Sequence, residues 1–167
     1  HKKADEAGEQ LAMVLKAAQG APLDQGAMDK LAAADGLVVG SPVYYGGPTG
    51  FITSFLDRLT FSCTKDARMC GKVSASIVSC RRGGATAAFD RLNKYFQMSN
   101  MVVVGSQYWN QVHGFTPDEV RKDLEGLQTM RTLARNIAWI TKCIEAGKQA
   151  GIDYPTHEPV IMTNFID

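Results

Sequence analysis

The sequence lacks any Cys-x-x-Cys pair, although four cysteines occur among its 167 residues. Structural zinc sites and the common iron–sulfur clusters use closely spaced cysteines, so no metal site is predicted. A disulfide framework is not expected in a chain of this length, and isolated thiols suit the reducing conditions of the cytoplasm. The cysteine pattern therefore predicts a cytoplasmic protein without a metal centre.

The sequence also lacks an excess of either charge and any long apolar segment. Its 18 Lys and Arg residues balance 17 Asp and Glu residues, which leaves a net charge of +1. Nucleic acids and anionic membranes select strongly basic proteins, so neither is predicted as a partner. No apolar run reaches the roughly 20 residues of a membrane-spanning helix, and no signal peptide is recognisable. With 45% hydrophobic residues, the composition is that of a globular domain.

Apolar periodicity predicts alternating helices and strands. Helices are predicted at residues 4–18, 27–34, 48–60, 85–96 and 116–148, and strands at residues 36–40, 72–79 and 101–105. Alternation at this spacing is typical of βαβ units and a parallel sheet, which places the chain in the α/β class. We expect one domain over residues 1–150. The tail, residues 151–167, either packs on its own domain or forms an arm on a partner subunit.

Two helices carry further local predictions. The helix that opens at Pro48 is predicted to bury Phe51, Ile52, Phe55, Leu56 and Leu59 on one face. The last helix begins with Thr116, Pro117 and Glu119, which form the pattern of a capping box. Gly126 is predicted to bend that helix.

The predicted sheet has a gap at its beginning. A doubly wound sheet needs a central first strand, and the loop after that strand normally holds a phosphate at a helix N-terminus. The sequence instead opens on a helix, and no Gly-x-Gly-x-x-Gly or Ser/Thr-rich anion loop precedes residue 4. We therefore expect that this chain lacks its natural start, or segments near it.

Three connections that follow predicted strands carry the chemistry: the first (residues 41–47), the second (residues 79–86) and the third (residues 106–114). The carboxyl ends of parallel strands meet at one edge, where open α/β sheets bind their ligands. The first connection offers Tyr44, Tyr45 and glycine backbone, which suit a flat aromatic ligand. We therefore expect the three connections to line one crevice.

The residue types alone leave a structural alternative open for each connection. The first can be a plain turn with packed tyrosines, and Arg81 and Arg82 of the second can be solvated at a helix start. Cys80 is either a thiol activated by the helix N-terminus or a small packed residue. His113, in the third connection, is either a proton donor or a structural hydrogen-bonding residue.

A family resemblance rests on four motifs. Gly40-Ser-Pro-Val-Tyr-Tyr-Gly-Gly and Gly50-Phe-Ile-Thr-Ser-Phe-Leu-Asp-Arg-Leu are followed by Ser79-Cys-Arg-Arg-Gly-Gly-Ala-Thr and Gln107-Tyr-Trp-Asn-Gln-Val-His-Gly. Over residues 34–148 the sequence thus resembles the NADPH-dependent FMN reductase group, with its multimeric flavodoxin and iron–sulfur flavoprotein relatives. The resemblance implies a flavodoxin-like doubly wound parallel sheet, which in this chain lacks its N-terminal strand and phosphate loop. Because no cysteine precedes Cys63, the cluster of the iron–sulfur relatives is not expected.

The resemblance also implies ligands and roles. FMN is the implied cofactor, and NAD(P)H is the implied co-substrate. The implied FMN-binding residues are Ser41, Pro42, Val43, Tyr44, Tyr45, Gly46, Gly47, Cys80, Arg81, Arg82, Gly83, Gly84 and Thr86. His113 is the candidate catalytic residue, and Tyr108 and Trp109 are the candidate walls of the substrate pocket.

The function expected from these features is that of an FMN-dependent NAD(P)H oxidoreductase. It would pass hydride or electrons to a small acceptor such as a quinone, a flavin or a nitro compound, and it would assemble as a homodimer or homotetramer. Two alternatives stay open. One is a flavodoxin-type electron carrier, against which the nearly neutral charge argues, since such carriers use a strongly acidic face. The other is a truncated scaffold that binds no flavin.

Overall fold

The computed structural model describes residues 25–64, 67–159, 161 and 163. The helix predicted at residues 4–18 lies outside the described residues, as does most of the tail beyond residue 159. The helices are α1 (Gln25–Ala33), α2 (Gly50–Thr64), α3 (Ala85–Met98), α4 (Pro117–Val120) and α5 (Leu124–Gln149). The strands are β1 (Gly36–Tyr44), β2 (Gly47–Pro48), β3 (Val73–Cys80), β4 (Val102–Val103) and β5 (Gln111–His113).

The sheet is built around β3. Strand β1 runs parallel to it along one edge, in a register that pairs Gly36 with Val73 and Pro42 with Ser79. On the other edge β4 pairs with the start of β3 and β5 pairs with its end, both in parallel. Strand β2 adds an antiparallel pair to the end of β1. The carboxyl ends of β1, β3 and β5 therefore reach the same edge of the sheet.

Helices cover both faces of the sheet, which is why β3 is buried on both sides. On one face α2 and α3 enclose Leu56, Leu92 and Phe96, which are fully buried. On the other face Leu133 of α5 packs with the sheet, and Ile137 packs at the margin of that cluster. The small side chains of β3 permit this close approach of two layers. The predicted α/β architecture is thus the one observed.

Several predicted boundaries are wrong, and turn geometry explains the largest error. Strand β1 continues to Tyr44, four residues beyond the predicted end at Gly40, and Pro48 pairs with Val43 instead of opening a helix. Between them Tyr45 and Gly46 have φ angles of 51° and 79°. Positive φ at both central residues is the requirement of a type I′ turn, which joins two strands in a hairpin. The first connection is therefore mostly a β-hairpin, and α2 starts at Gly50.

Three further predictions are corrected. The strand predicted at residues 101–105 is reduced to Val102–Val103, while β5 lies inside the segment predicted as the third connection. The predicted last helix is divided into α4 and α5, although the capping box of Thr116 and Glu119 is confirmed. The side chain of Phe51 is 60% exposed, so the prediction that α2 buries it is wrong. Within the described residues, no helix has the length and apolar character that crossing a bilayer requires.

Candidate functional site

The hairpin turn at the end of β1 presents two tyrosines to solvent. Tyr44 is 61% exposed, and Tyr45, at the tip, is fully exposed. Ser41, by contrast, is buried: its hydroxyl donates to the carbonyl of Pro42 (2.8 Å) and accepts the N–H of Thr49 (3.0 Å). Ser41 therefore fixes the end of β1 to the start of α2. The exposed surface of the hairpin is formed by the rings of Tyr44 and Tyr45.

The second connection is packed directly against this hairpin. Gly84, the residue before α3, has a φ angle of 91°. A Cβ atom at this position would lie 2.8 Å from Cγ1 of Val43 and 2.9 Å from Cα of Gly46. Glycine is required here both for the positive φ and for the close approach. The structure thus brings the first two connections into contact.

Positive charge accumulates where α3 begins. Arg81, Arg82 and Gly83 are exposed, and Thr86 is exposed in the first turn of the helix. The first N–H groups of a helix have no partner within it, and the helix dipole places partial positive charge at the same point. This end of the second connection suits an anionic or electron-rich group of a ligand.

Cys80 is buried at the end of β3, beneath the arginines. Burial raises the pKa of the Cys80 thiol, although the N–H groups of Arg82 and Ala85 act in the opposite direction. The thiol therefore stays protonated at neutral pH. Of the two possibilities for Cys80, the geometry supports the packed residue over the activated thiol.

The third connection holds its aromatic side chains on a rigid corner. The buried Asn110 accepts the hydroxyl of Ser106 through Oδ1 (2.6 Å), and its carbonyl accepts the N–H of Val78 in β3 (2.9 Å). The rings of Tyr108 and Trp109 lie 4.7 Å apart at an interplanar angle of 52°, and both are about half exposed. These rings can form a wall for a planar ligand.

His113 is held at the end of β5 by an aspartate. Its backbone N–H donates to Oδ2 of Asp123 (2.7 Å), and Nδ1 of its ring lies 3.6 Å from the same oxygen. Oδ1 of Asp123 accepts the N–H of Gly126 (2.9 Å) and thereby caps α5. Burial on its own raises the pKa of Asp123, but the N–H donors of Gly126 and His113 and the adjacent imidazole outweigh it and lower the pKa. Asp123 is therefore a carboxylate that orients His113.

Sequence reasoning missed Asp123, although a signal was present. An aspartate three residues before Gly126 at a helix start is a typical N-cap, which a search for helix starts would have found. Gly126 itself does not serve as a bend: a Cβ there would lie 2.4 Å from Oδ2 of Asp123 and 3.0 Å from Cγ1 of Val112. Its function is close packing of α5 against β5.

We expect Asp123→Asn to lower the free energy of unfolding at pH 7 by about 1–2 kcal/mol, because the amide keeps only one acceptor for two backbone donors. The folded pKa of Asp123 lies below its ordinary value. Its stabilisation is therefore present above about pH 4 and is lost as the pH falls through the folded pKa. Urea unfolding at a series of pH values measures this, and Asp153→Asn is the matched control. Curves for D123N and the unsubstituted protein that stay parallel down to pH 2 would contradict the prediction.

Two direct contacts link the three connections that carry the predicted site residues. The first and second connections touch at Gly46 and Gly84, and the N–H of Gly114 donates to the carbonyl of Cys80 (3.0 Å), which joins the third connection to the second. Ser41 and Cys80 are buried in supporting positions. Among the described residues, no group of three or more His, Cys, Asp or Glu side chains could hold a metal ion.

Comparison with known proteins assigns a family to this arrangement. The family profile described as NADPH-dependent FMN reductase matches residues 9–116. An iron–sulfur flavoprotein of Methanocaldococcus jannaschii is 29% identical over 126 residues, which cover 71% of this chain and 64% of the relative. NAD(P)H dehydrogenase (quinone) of Acidithiobacillus ferrooxidans is 33% identical over 98 residues, which cover 53% of this chain and 48% of the relative. The chain therefore spans less than two thirds of the length of either relative.

A solved structure supports the fold independently. The flavodoxin, WrbA-like protein from Agrobacterium tumefaciens superposes with a TM-score of 0.53 at 18% sequence identity, covering 76% of this chain and 88% of that chain. At this identity the similarity concerns the fold alone. Together with the observed parallel strands, it confirms the predicted flavodoxin-like α/β class.

Proposed function

Because the chain belongs to the NADPH-dependent FMN reductase family, we propose that it binds FMN at the edge formed by the three connections and transfers electrons from NAD(P)H to a small acceptor. The observation that carries this proposal is the contact between Gly84 and the β1–β2 hairpin. It sets exposed tyrosines beside a helix start that carries two arginines. The third connection is bonded to the second through Gly114 and Cys80, and it carries two further aromatic rings.

The residues present fit the ring of FMN. A Cβ atom at Gly46, Gly47 or Gly83 would meet no heavy atom within 4 Å, so the backbone of both connections faces open space. Bare backbone can donate to and accept from the edge of a flat ring at a distance that side chains would prevent. The exposed rings of Tyr44 and Trp109 supply apolar contact for its faces. Donors along an edge and aromatic rings beside the faces are what an isoalloxazine ring requires.

When bound, FMN supplies the hydride and electron chemistry, so the protein residues have to bind, orient and balance charge. Arg81, Arg82 and the first turn of α3 hold negative charge at the ring edge. Tyr108 and Trp109 exclude water from one side of the pocket. We assign to His113, which Asp123 holds, the role of donating a hydrogen bond or a proton to an oxygen of the acceptor.

A quinone is the acceptor that we place first, ahead of a free flavin or a nitro compound. The relative named NAD(P)H dehydrogenase (quinone) supports this choice. A quinone is flat and carries two carbonyl oxygens, so it could lie against Trp109 while His113 donates to one oxygen. Two-electron transfer to such an acceptor also distinguishes the proposal from a one-electron carrier.

We expect Arg81→Gln together with Arg82→Gln to weaken FMN binding by tenfold or more, since each replaces a charge-assisted contact, worth about 1.5–3 kcal/mol, with a neutral one. The measurement is titration of FMN into the full chain, followed by quenching of flavin fluorescence, and then NADPH oxidation with a quinone present. The matched control is Lys142→Gln with Lys148→Gln, which removes the same charge from the distant half of α5. Unquenched flavin and background NADPH oxidation in the unsubstituted protein would refute the proposed function.

The proposal also covers the oligomeric state and the cellular location of the protein. Phe115 and Trp139 are 78% and 66% exposed, and burying them against a second copy would favour a homodimer or homotetramer. Light scattering of the purified chain measures the oligomeric state. None of the four cysteines, all of which lie in the described part of the chain, forms a disulfide, and this supports the cytoplasmic location.

A further inference from the structure

A cysteine, a histidine and an asparagine meet at the end of the sheet opposite the three connections. Cys70 lies just before β3, Asn100 lies just before β4, and His157 comes from the segment after α5. Sγ of Cys70 lies 2.9 Å from Nε2 of His157, and Nδ2 of Asn100 lies 3.0 Å from the same nitrogen. A thiol within hydrogen-bond reach of an imidazole nitrogen is the pairing by which a base activates a cysteine nucleophile.

Both neighbours of His157 contact the same imidazole nitrogen, Nε2. The amide nitrogen of Asn100 can only donate, so Nε2 of His157 is the acceptor in that contact and carries its lone pair. This single lone pair cannot accept two donors fully, so the Cys70 thiol, at 2.9 Å, competes with Asn100 for it and transfers its proton when the Asn100 N–H turns to the sulfur. Nδ2 of Asn100 also lies 3.5 Å from Sγ, where it can donate to the sulfur once the proton has left.

A tyrosine beside this group contacts the backbone of Asn100. The hydroxyl of Tyr154 donates to the carbonyl of Asn100 (3.4 Å), and the ring of Tyr154 packs against Gly71, where a Cβ atom would lie 2.8 Å from it. Burial raises the pKa of the Tyr154 hydroxyl, and the adjacent Cys70 side chain raises it further. Tyr154 therefore keeps its proton when a neighbouring group becomes negative.

An open groove gives access to the sulfur. It has a volume of about 1080 Å³ and is lined by Cys70, Val73, Ile144, Ile152 and Tyr154 among others. Cys70 is half-buried and lines this groove, whereas His157 and Asn100 do not, so a small molecule in the groove can contact Cys70 without displacing them. Cys143 is more exposed and Cys80 is buried, so exposure alone does not single out Cys70.

From this geometry we propose that Cys70 is a reactive thiol that reduces hydroperoxides, with His157 as its proton acceptor and donor. The thiol proton passes from Sγ to Nε2, and the thiolate attacks the terminal oxygen of the hydroperoxide. The S–O bond forms as the O–O bond breaks, and the leaving hydroxide or alkoxide takes the proton from Nε2. The sulfur is oxidised by two electrons to the sulfenic acid, and the hydroperoxide is reduced to water or an alcohol.

The test exposes the full chain at pH 7 to hydrogen peroxide and dimedone, which traps sulfenic acids, and measures labelling of each cysteine by peptide mass spectrometry. We expect Cys70 to be labelled at least about tenfold faster than Cys143. His157→Gln keeps a polar side chain without a basic nitrogen, so it should slow labelling of Cys70 about tenfold and leave Cys143 unchanged.

Two internal controls keep the result interpretable. The buried Cys63 and Cys80 report the state of the fold, since their labelling would rise if a variant unfolded. Equal rates at Cys70 and Cys143, or a rate at Cys70 that His157→Gln does not alter, would overturn the proposal. The site lies at the far end of β3, roughly 25 Å from the three connections, so the outcome does not depend on flavin binding.

Discussion

Replacing Phe96 with alanine is expected to lower the free energy of unfolding by about 3–5 kcal/mol. Phe96 lies in α3, is completely buried, and belongs to the core cluster that α2 and α3 form on one face of the sheet. Removing its ring takes apolar surface out of the core and leaves a cavity that the surrounding side chains fill only in part. Urea unfolding followed by circular dichroism measures the change.

The matched control for this substitution is Phe51→Ala. Both residues are phenylalanines on helices that cover the same face, yet Phe51 is 60% exposed. We expect F51A to change the free energy of unfolding by less than about 1 kcal/mol, as is usual for surface positions. Similar losses for F96A and F51A would show that the assigned orientation of α2 is wrong.

Gly84→Ala is expected to affect both stability and FMN binding. Alanine at a φ angle of 91° costs about 1–3 kcal/mol, and overlap with Val43 and with the backbone of Gly46 adds a similar amount. The hairpin and the second connection then have to separate. We expect the affinity for FMN to fall on the order of 100-fold, since a displacement of about 1 Å has effects of that size.

Gly105→Ala is the matched control for Gly84→Ala. It shows what a glycine-to-alanine substitution does to stability and FMN affinity where the added methyl group has room. A Cβ atom at Gly105 would meet no heavy atom within 4 Å. We expect stability within about 0.5 kcal/mol of the unsubstituted protein and unchanged FMN affinity for G105A. Thermal unfolding and fluorescence titration measure both variants. If G84A bound FMN as tightly as G105A, contact between the first two connections would not be needed for the site.

The helices and the parallel class were predictable because their signal is local. Buried positions recur every three to four residues in α3, and Leu92 and Phe96 are buried as that period predicts. The capping box at Thr116 was predictable for the same reason, since its two contacts lie within four residues. Strand β3 was recognisable as a run of small and branched residues with the length of a strand.

The errors lie where structure depends on a partner strand or on unusual φ angles. Pro48 is typical of a helix start, but pairing with Val43 places it in a strand. Residues 111–113 alternate over three positions only, which is too short a run to predict a strand, and they form β5 by pairing with the end of β3. A two-residue turn at Tyr45 and Gly46 is hard to foresee because a bulky residue rarely adopts a positive φ.

The residues of the candidate site fall into two groups: those that a local motif identifies, and those whose contacts are distant in the sequence. Glycines, tyrosines and arginines in the three connections could be selected because they follow strands of a recognisable motif. Asp123 acts on His113 ten residues away, with α4 between them in the sequence. Cys70 and His157 are 87 residues apart, so only the folded chain shows that they meet. Sequence spacing gives no information about a contact of this range.

The double pairing of β3 has a consequence for how the molecule opens. Amide protons on this strand are bonded on both edges, by β1 along one and by β4 and β5 along the other. Their exchange with solvent water therefore requires the global unfolding reaction rather than local fraying. The first two connections leave from β3 and from its partner β1, and the third contains its partner β5, so all three are anchored to paired strands.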